Sequence, residues 1–146
     1  MKSKFLLLFL SSAVLFSCSK DPNELLKHIN GYWEIQEVTL SDGTKKEYTY
    51  NDTVEYIEIS DNTTGFRTKL KPNLEGTYTT STDKEGVSVK ISNDSLHLIY
   101  STPYSEWKET VLNANETELL IVNANKDMYL YKRYEPINMN ASAQKN

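Results

Sequence analysis

The rhythm of apolar and polar residues changes twice along the chain. Phe5 through Phe16 is apolar except for Ser11 and Ser12, and Lys2 and Lys4 stand ahead of it. These twelve residues fall short of the roughly 20 that a membrane-spanning helix needs, but they suit the apolar centre of a secretory signal. Leu25, Leu26 and Ile29 then form one apolar helix face. Asp21 is placed to cap that helix, Pro22 occupies its first position, and Asn30-Gly31 stops it. The expected helix runs over 21–29.

From Tyr32 onward the period is two, the mark of half-buried strands with one wet face. Val87, Val89 and Ile91 alternate with Ser88 and Lys90; Leu96, Leu98 and Tyr100 alternate with His97 and Ile99. Tyr129, Tyr131 and Arg133 alternate with Met128, Leu130 and Lys132. Phe66, Thr68 and Leu70 alternate with Arg67, Lys69 and Lys71, which puts Phe66 on the inner face and Arg67 on the wet one. Turn residues separate the runs, among them Ser41-Asp42-Gly43, Asp61-Asn62, Asp83-Lys84-Glu85-Gly86, Asn93-Asp94 and Asn123-Ala124-Asn125.

The first run is irregular: Trp33 and Ile35 share one parity, Val38 and Leu40 the other. A one-residue bulge near Gln36-Glu37 returns both pairs to the interior, the bend a first strand needs to close both edges of a barrel. Eight or nine short strands between Tyr32 and Tyr134, without a helical interruption, predict an all-β antiparallel meander barrel preceded by a short helix. An interior of that size either fills with side chains or holds one small ligand. Residues 136–146 are polar and are expected to be a disordered tail.

Leu15-Phe16-Ser17-Cys18 resembles the lipobox of bacterial lipoproteins, with an aliphatic residue, a small residue and the cysteine in register. The resemblance implies cleavage after residue 17, a diacylglyceryl thioether on Cys18 and acyl chains such as palmitate holding the protein to the outer membrane. Residues 18–21 would then be a lipidated tether and 22–135 the folded domain. Ser19-Lys20-Asp21 partly resembles the surface-export signal of Bacteroidetes lipoproteins, so periplasmic and cell-surface display both stay open.

Gly31-Tyr32-Trp33, behind a short helix and opening the first strand, resembles the Gly-x-Trp signature of the lipocalin-like (calycin) superfamily. In that family the glycine admits the turn into the barrel and the tryptophan plugs its closed end, under a basic residue of the last strand. Arg133 stands where that residue would be, with Lys132 the alternative if the register slips by one. The resemblance implies carriage of a small apolar or amphipathic molecule. Bulky residues that would line the cavity are Trp33, Phe66, Tyr78, Tyr100, Trp107 and Tyr131; a dry packed core uses the same residues.

Charge changes the picture mainly by exclusion. Removing Lys2 and Lys4 with the signal leaves 14 basic against 20 acidic residues, a net charge of −6. Such a surface does not suit nucleic acid, and it leaves the lipid as the membrane contact. One cysteine excludes an internal disulfide and a cysteine metal cluster. His28 and His97 are read as two solvated side chains, and no metal, cofactor or catalytic constellation is expected. Most carboxylates alternate with apolar positions, as on a wet sheet face. Glu109 shares the parity of Trp107 and Val111, so it points either into a polar pocket or toward a wet open end; Glu118 competes for the same side with Leu119 and Ile121.

Asp52-Thr53-Val54 and Asp94-Ser95-Leu96 resemble a Bacteroidetes O-glycosylation acceptor, with Thr53 and Ser95 as the hydroxyls. The reading is a monomeric, non-enzymatic, membrane-anchored barrel. The alternative is an envelope interaction or inhibitor module that presents the loops around Asn51, Asp83 and Pro103 on a filled core.

Overall fold

The computed structural model of the protein describes residues 20–135; Cys18, the signal segment and the tail lie outside them. The helix α1 spans Pro22–Leu26, shorter than expected, with the Asp21 side chain accepting from the Asn23 amide at 2.9 Å. Irregular turns carry the chain from there through Ile29 to Gly31. Nine antiparallel strands follow: β1 Gly31–Thr39, β2 Lys45–Glu47, β3 Val54–Ser60, β4 Thr64–Pro72, β5 Tyr78–Ser92, β6 Ser95–Ser101, β7 Glu106–Ala114, β8 Glu118–Val122 and β9 Met128–Arg133.

Each of β3 to β8 pairs with its successor, and β1 pairs with both β3 and β9, so eight strands close a barrel. The bulge in β1 lies between Ile35 and Glu37, opposite β9. Below it β1 pairs with β3 through Gly31, Tyr32 and Trp33; above it the same edge pairs with the short β2 through Glu37, Val38 and Thr39. The bend thus lets one strand serve three neighbours. At the tip of the β5–β6 hairpin, Asn93 and Asp94 take left-handed φ of +51° and +54°, the conformation a tight two-residue turn demands and these residues tolerate.

Register assigns the interior. Trp33, Ile57, Val87, Leu98, Tyr100, Val111, Ile121 and Tyr131 point inward and join one core. α1 brings Leu25, Leu26 and Ile29 into that core from one end, which is thereby closed. The loops between β1 and β2, β4 and β5, β6 and β7, and β8 and β9 lie at the opposite, open end.

Two expectations need correction. Asp83–Gly86 is not a turn but the middle of β5, where Gly86 faces Ser101 and a Cβ would meet the Ser101 hydroxyl. The β4–β5 register shifts beside it, between Thr68 and Leu70, so the charged run sits at a bulge. The second correction concerns β4: Ile57 pairs with Arg67 and Glu58 with Phe66, so Arg67 points inward and Phe66 outward. Phe66 is half-buried on the outer face, in a chain of rings with Tyr56, Tyr32 and Tyr78 at centroid separations of 5.9, 4.7 and 5.2 Å, and the Lys84 ammonium lies 4.2 Å above it. Val54 and Leu70, paired on the same face, are buried too. The barrel wall therefore carries an apolar cluster on its outside. Phe66 and Tyr78 pack there and do not line the interior.

Candidate functional site

The interior has two storeys, each organised by one arginine. At the closed end Trp33 is fully buried and its indole donates to the Ile29 carbonyl at 2.8 Å. The Arg133 guanidinium lies 3.7 Å over the Trp33 ring. It donates to the carbonyls of Asn30 at 2.7 Å, His28 at 3.0 Å and Glu116 at 3.1 Å, with a longer contact to Asn115. These are the turns entering β1 and connecting β7 to β8, so one side chain ties both to the barrel floor. Gly31 takes a φ of +128°, and a Cβ on it would collide with the Arg133 guanidinium. Glycine is required here for its backbone and for its missing side chain.

Higher in the barrel the environment changes. Arg67 of β4 is buried, and its guanidinium lies 4.0 Å from the Tyr100 ring, which in turn stacks on Trp107 at 5.4 Å. Three carboxylates converge on it from different strands. Glu85 of β5 accepts from Nε at 2.6 Å; Glu55 of β3 and Glu109 of β7 lie 3.5 and 3.6 Å from the same terminal nitrogen, beyond good hydrogen-bond length. One positive charge thus faces three acids. Burial opposes the Arg67 charge, but Tyr100 and the three carboxylates outweigh it and hold the guanidinium protonated more firmly than usual. Burial pushes the Glu109 carboxyl up from its ordinary range, with Arg67 acting against the rise. Burial also raises Tyr100 and Tyr131 well above an ordinary phenol.

The Tyr100 hydroxyl and one Glu109 oxygen are buried without a hydrogen-bond partner among the described residues. They lie near each other but miss hydrogen-bond geometry. Orphaned buried polar atoms are uncommon and costly in a settled core, at about 1–3 kcal/mol each. Half-buried Ile35, Trp107 and Tyr129 stand on the same inner face, and the Glu55 and Glu85 side chains keep 21% and 28% of their surface exposed. The polar storey is therefore reached from the open end.

A family model, the lipocalin-like domain, matches residues 29–121, a span that opens just before the Gly31-Trp33 turn. The chain belongs to the lipocalin-like family. The crystal structure of a lipocalin-like protein from Bacteroides uniformis is similar over 73% of this chain and 99% of that one, with a TM-score of 0.47 and 9% identity. No curated protein matches the sequence.

Within this lipocalin-like barrel the residues singled out from the sequence divide into four groups. Gly31, Trp33 and Arg133 meet at the closed end, while Lys132 points outward to Glu34 at 3.2 Å. Tyr100, Trp107 and Tyr131 line the interior; Phe66 and Tyr78 lie outside it, as described. Glu109 faces inward, and Glu118 is exposed beside inward Leu119. Thr53, just ahead of β3, and Ser95, the first residue of β6, are half-buried, and Cys18 lies outside the described residues. His97 is on the outer face, its Nδ1 2.9 Å from the Thr110 hydroxyl, with its pKa lowered by burial and by the nearby lysines.

Sequence reasoning missed Arg67, Glu55 and Glu85 as interior residues. Arg67 and Glu55 carried the mark of a wet face, because they alternate with residues packed on the outside, and Glu85 sat in a run that reads as a turn.

Proposed function

We propose that the protein is a membrane-anchored carrier or sensor that binds one small amphipathic molecule in the upper half of its lipocalin-like barrel. The carrying observation is the Arg67 cluster, in which three interior carboxylates share one guanidinium and two buried polar atoms stay unpartnered. A core selected for packing gains little from such a group, since apolar residues of like volume are often as stable or more so. A ligand's polar end satisfies the orphans, and its apolar body rests against Ile35, Trp107 and Tyr129. The floor around Trp33, Leu96 and Leu98 is fully buried, so the ligand is placed above it, beside the partly exposed Glu55 and Glu85.

The proposed attachment through Cys18 fits the same arrangement. The described chain begins beside the closed end, where α1 packs on β6 and β7. A lipid two residues before Lys20 would turn the open mouth away from the membrane. A neutral amphipathic dye, N-phenyl-1-naphthylamine, tests the reading. Its fluorescence should rise saturably at one dye per barrel, and Ile35→Trp, which fills the mouth, should weaken binding at least tenfold. Absence of saturable binding would overturn it.

A second reading rests on a different observation. Leu40, Leu74 and Tyr104 are exposed large apolar side chains on three open-end loops, and exposed Tyr50 lies on the β2–β3 connection beside β1. Such a rim suits contact with an envelope protein. In-cell crosslinking from a photoreactive residue at position 104 should then yield one discrete adduct; a smear or none counts against it.

A further inference from the structure

Granted an interior ligand, we infer that its polar end is a small cation, a primary ammonium or similar donor group, seated against Glu109 and Glu55. Three features of the cluster select that chemistry. The first is charge: Glu55, Glu85 and Glu109 surround a single guanidinium, so an anionic head would add to a surplus of negative charge. The second is occupancy. Arg67 puts its short bond on Glu85 and points one terminal nitrogen at Glu55 and Glu109, so an anion approaching that nitrogen would meet two carboxylates. Glu55 and Glu109 are held only at 3.5 and 3.6 Å, and they keep acceptor capacity for a second donor.

The third feature is the orphaned Glu109 oxygen, on a residue more than nine-tenths buried and pointed into the barrel. As a carboxylate that oxygen accepts, and the neighbouring Tyr100 hydroxyl misses hydrogen-bond geometry, so a ligand donor is the partner it lacks. An ammonium supplies up to three donors and cancels one surplus charge. The Trp107 and Tyr131 rings on the same inner face offer it π-surfaces. A metal ion is the other cationic candidate, but no group of three or more acids or histidines among the described residues could hold one.

Three near-isosteric probes separate the alternatives: 2-phenylethylammonium, 2-phenylethanol and 3-phenylpropanoate. Each is titrated by calorimetry and tryptophan fluorescence against the chain reconstituted in lipid nanodiscs, with empty nanodiscs subtracted. The ammonium should bind at least tenfold more tightly than the alcohol, and the carboxylate most weakly. Glu109→Gln, nearly the same size, should bring the ammonium down to the affinity of the alcohol. Glu55→Gln should weaken it less, and serves as the test if the Glu109 variant does not fold. Equal affinities, or tightest binding of the carboxylate, would overturn the cationic head and leave the interior-binding reading standing. So would failure of all three while N-phenyl-1-naphthylamine binds. If the dye fails as well, both fall.

Discussion

Arg133 and Arg67 are both barrel-facing arginines lying over an aromatic ring, at 3.7 and 4.0 Å, yet they are set in opposite surroundings. Arg133 meets backbone carbonyls, and burial lowers its pKa, since no carboxylate among the described residues pairs with it. Arg67 meets three carboxylates that raise its pKa despite burial. The first site is closed: donors and acceptors match, and a glycine makes room for the fit. The second is over-supplied with acceptors. That imbalance is what separates a structural arginine from one that prepares a binding site.

The largest way to break the comparison is Arg67→Met. Removing the shared cation leaves three interior carboxylates uncompensated, a loss of about 3–5 kcal/mol at neutral pH. Urea unfolding should show this loss shrinking as pH falls and the acids protonate; a pH-independent loss would mean that Arg67 acts by packing alone. Arg133→Met should cost about 3 kcal/mol, because several turn carbonyls lose a charged donor and Trp33 loses its cover. That loss should be nearly constant with pH, since no carboxylate pairs with Arg133. Gly31→Ala should cost about 2 kcal/mol through its positive φ and the collision with Arg133. In Arg133→Met the collision is gone, so thermal melting of the double variant should show a smaller added loss than the two single losses predict.

Glu109→Gln sharpens the comparison with the smallest effect and a definite sign. Burial raises the folded-state pKa of Glu109, so folding favours its protonated form. The associated stability is complete below the ordinary carboxyl pKa and is lost as pH rises through the raised folded value. The variant carries no such titration. Melting curves of the two proteins should converge at acid pH, and the variant should be the more stable at pH 8. A wild type more stable than the variant at pH 8 would show that Arg67 more than offsets the burial of this charge.

How far the sequence could be read differs between the two arginines for the same reason that their surroundings differ. The closed end is local and patterned. Gly31 and Trp33 stand two residues apart behind an apolar helix face, Arg133 ends the last strand, and the parity break across Gln36 announces the bulge found there. The polar storey takes its charges from β3, β4, β5 and β7, and none of the four charged residues is close to another in the chain. Glu85 was hidden inside Asp83–Gly86, whose composition reads as a turn but which lies within β5.

By itself, then, the sequence determined the strand meander, the closing motif and the side chains that share a face. Only the tertiary structure decided which face of β3 and β4 is the inside. Alternation of period two groups residues without ranking the two groups, and the ranking comes from whichever side the rest of the molecule covers. Here both sides of that corner are covered. The outer aromatic cluster half-buries Phe66 and Tyr56, and the barrel takes in Arg67 and Glu55. An apolar run that usually marks the interior therefore marks the exterior, and the charged run beside it became the candidate site.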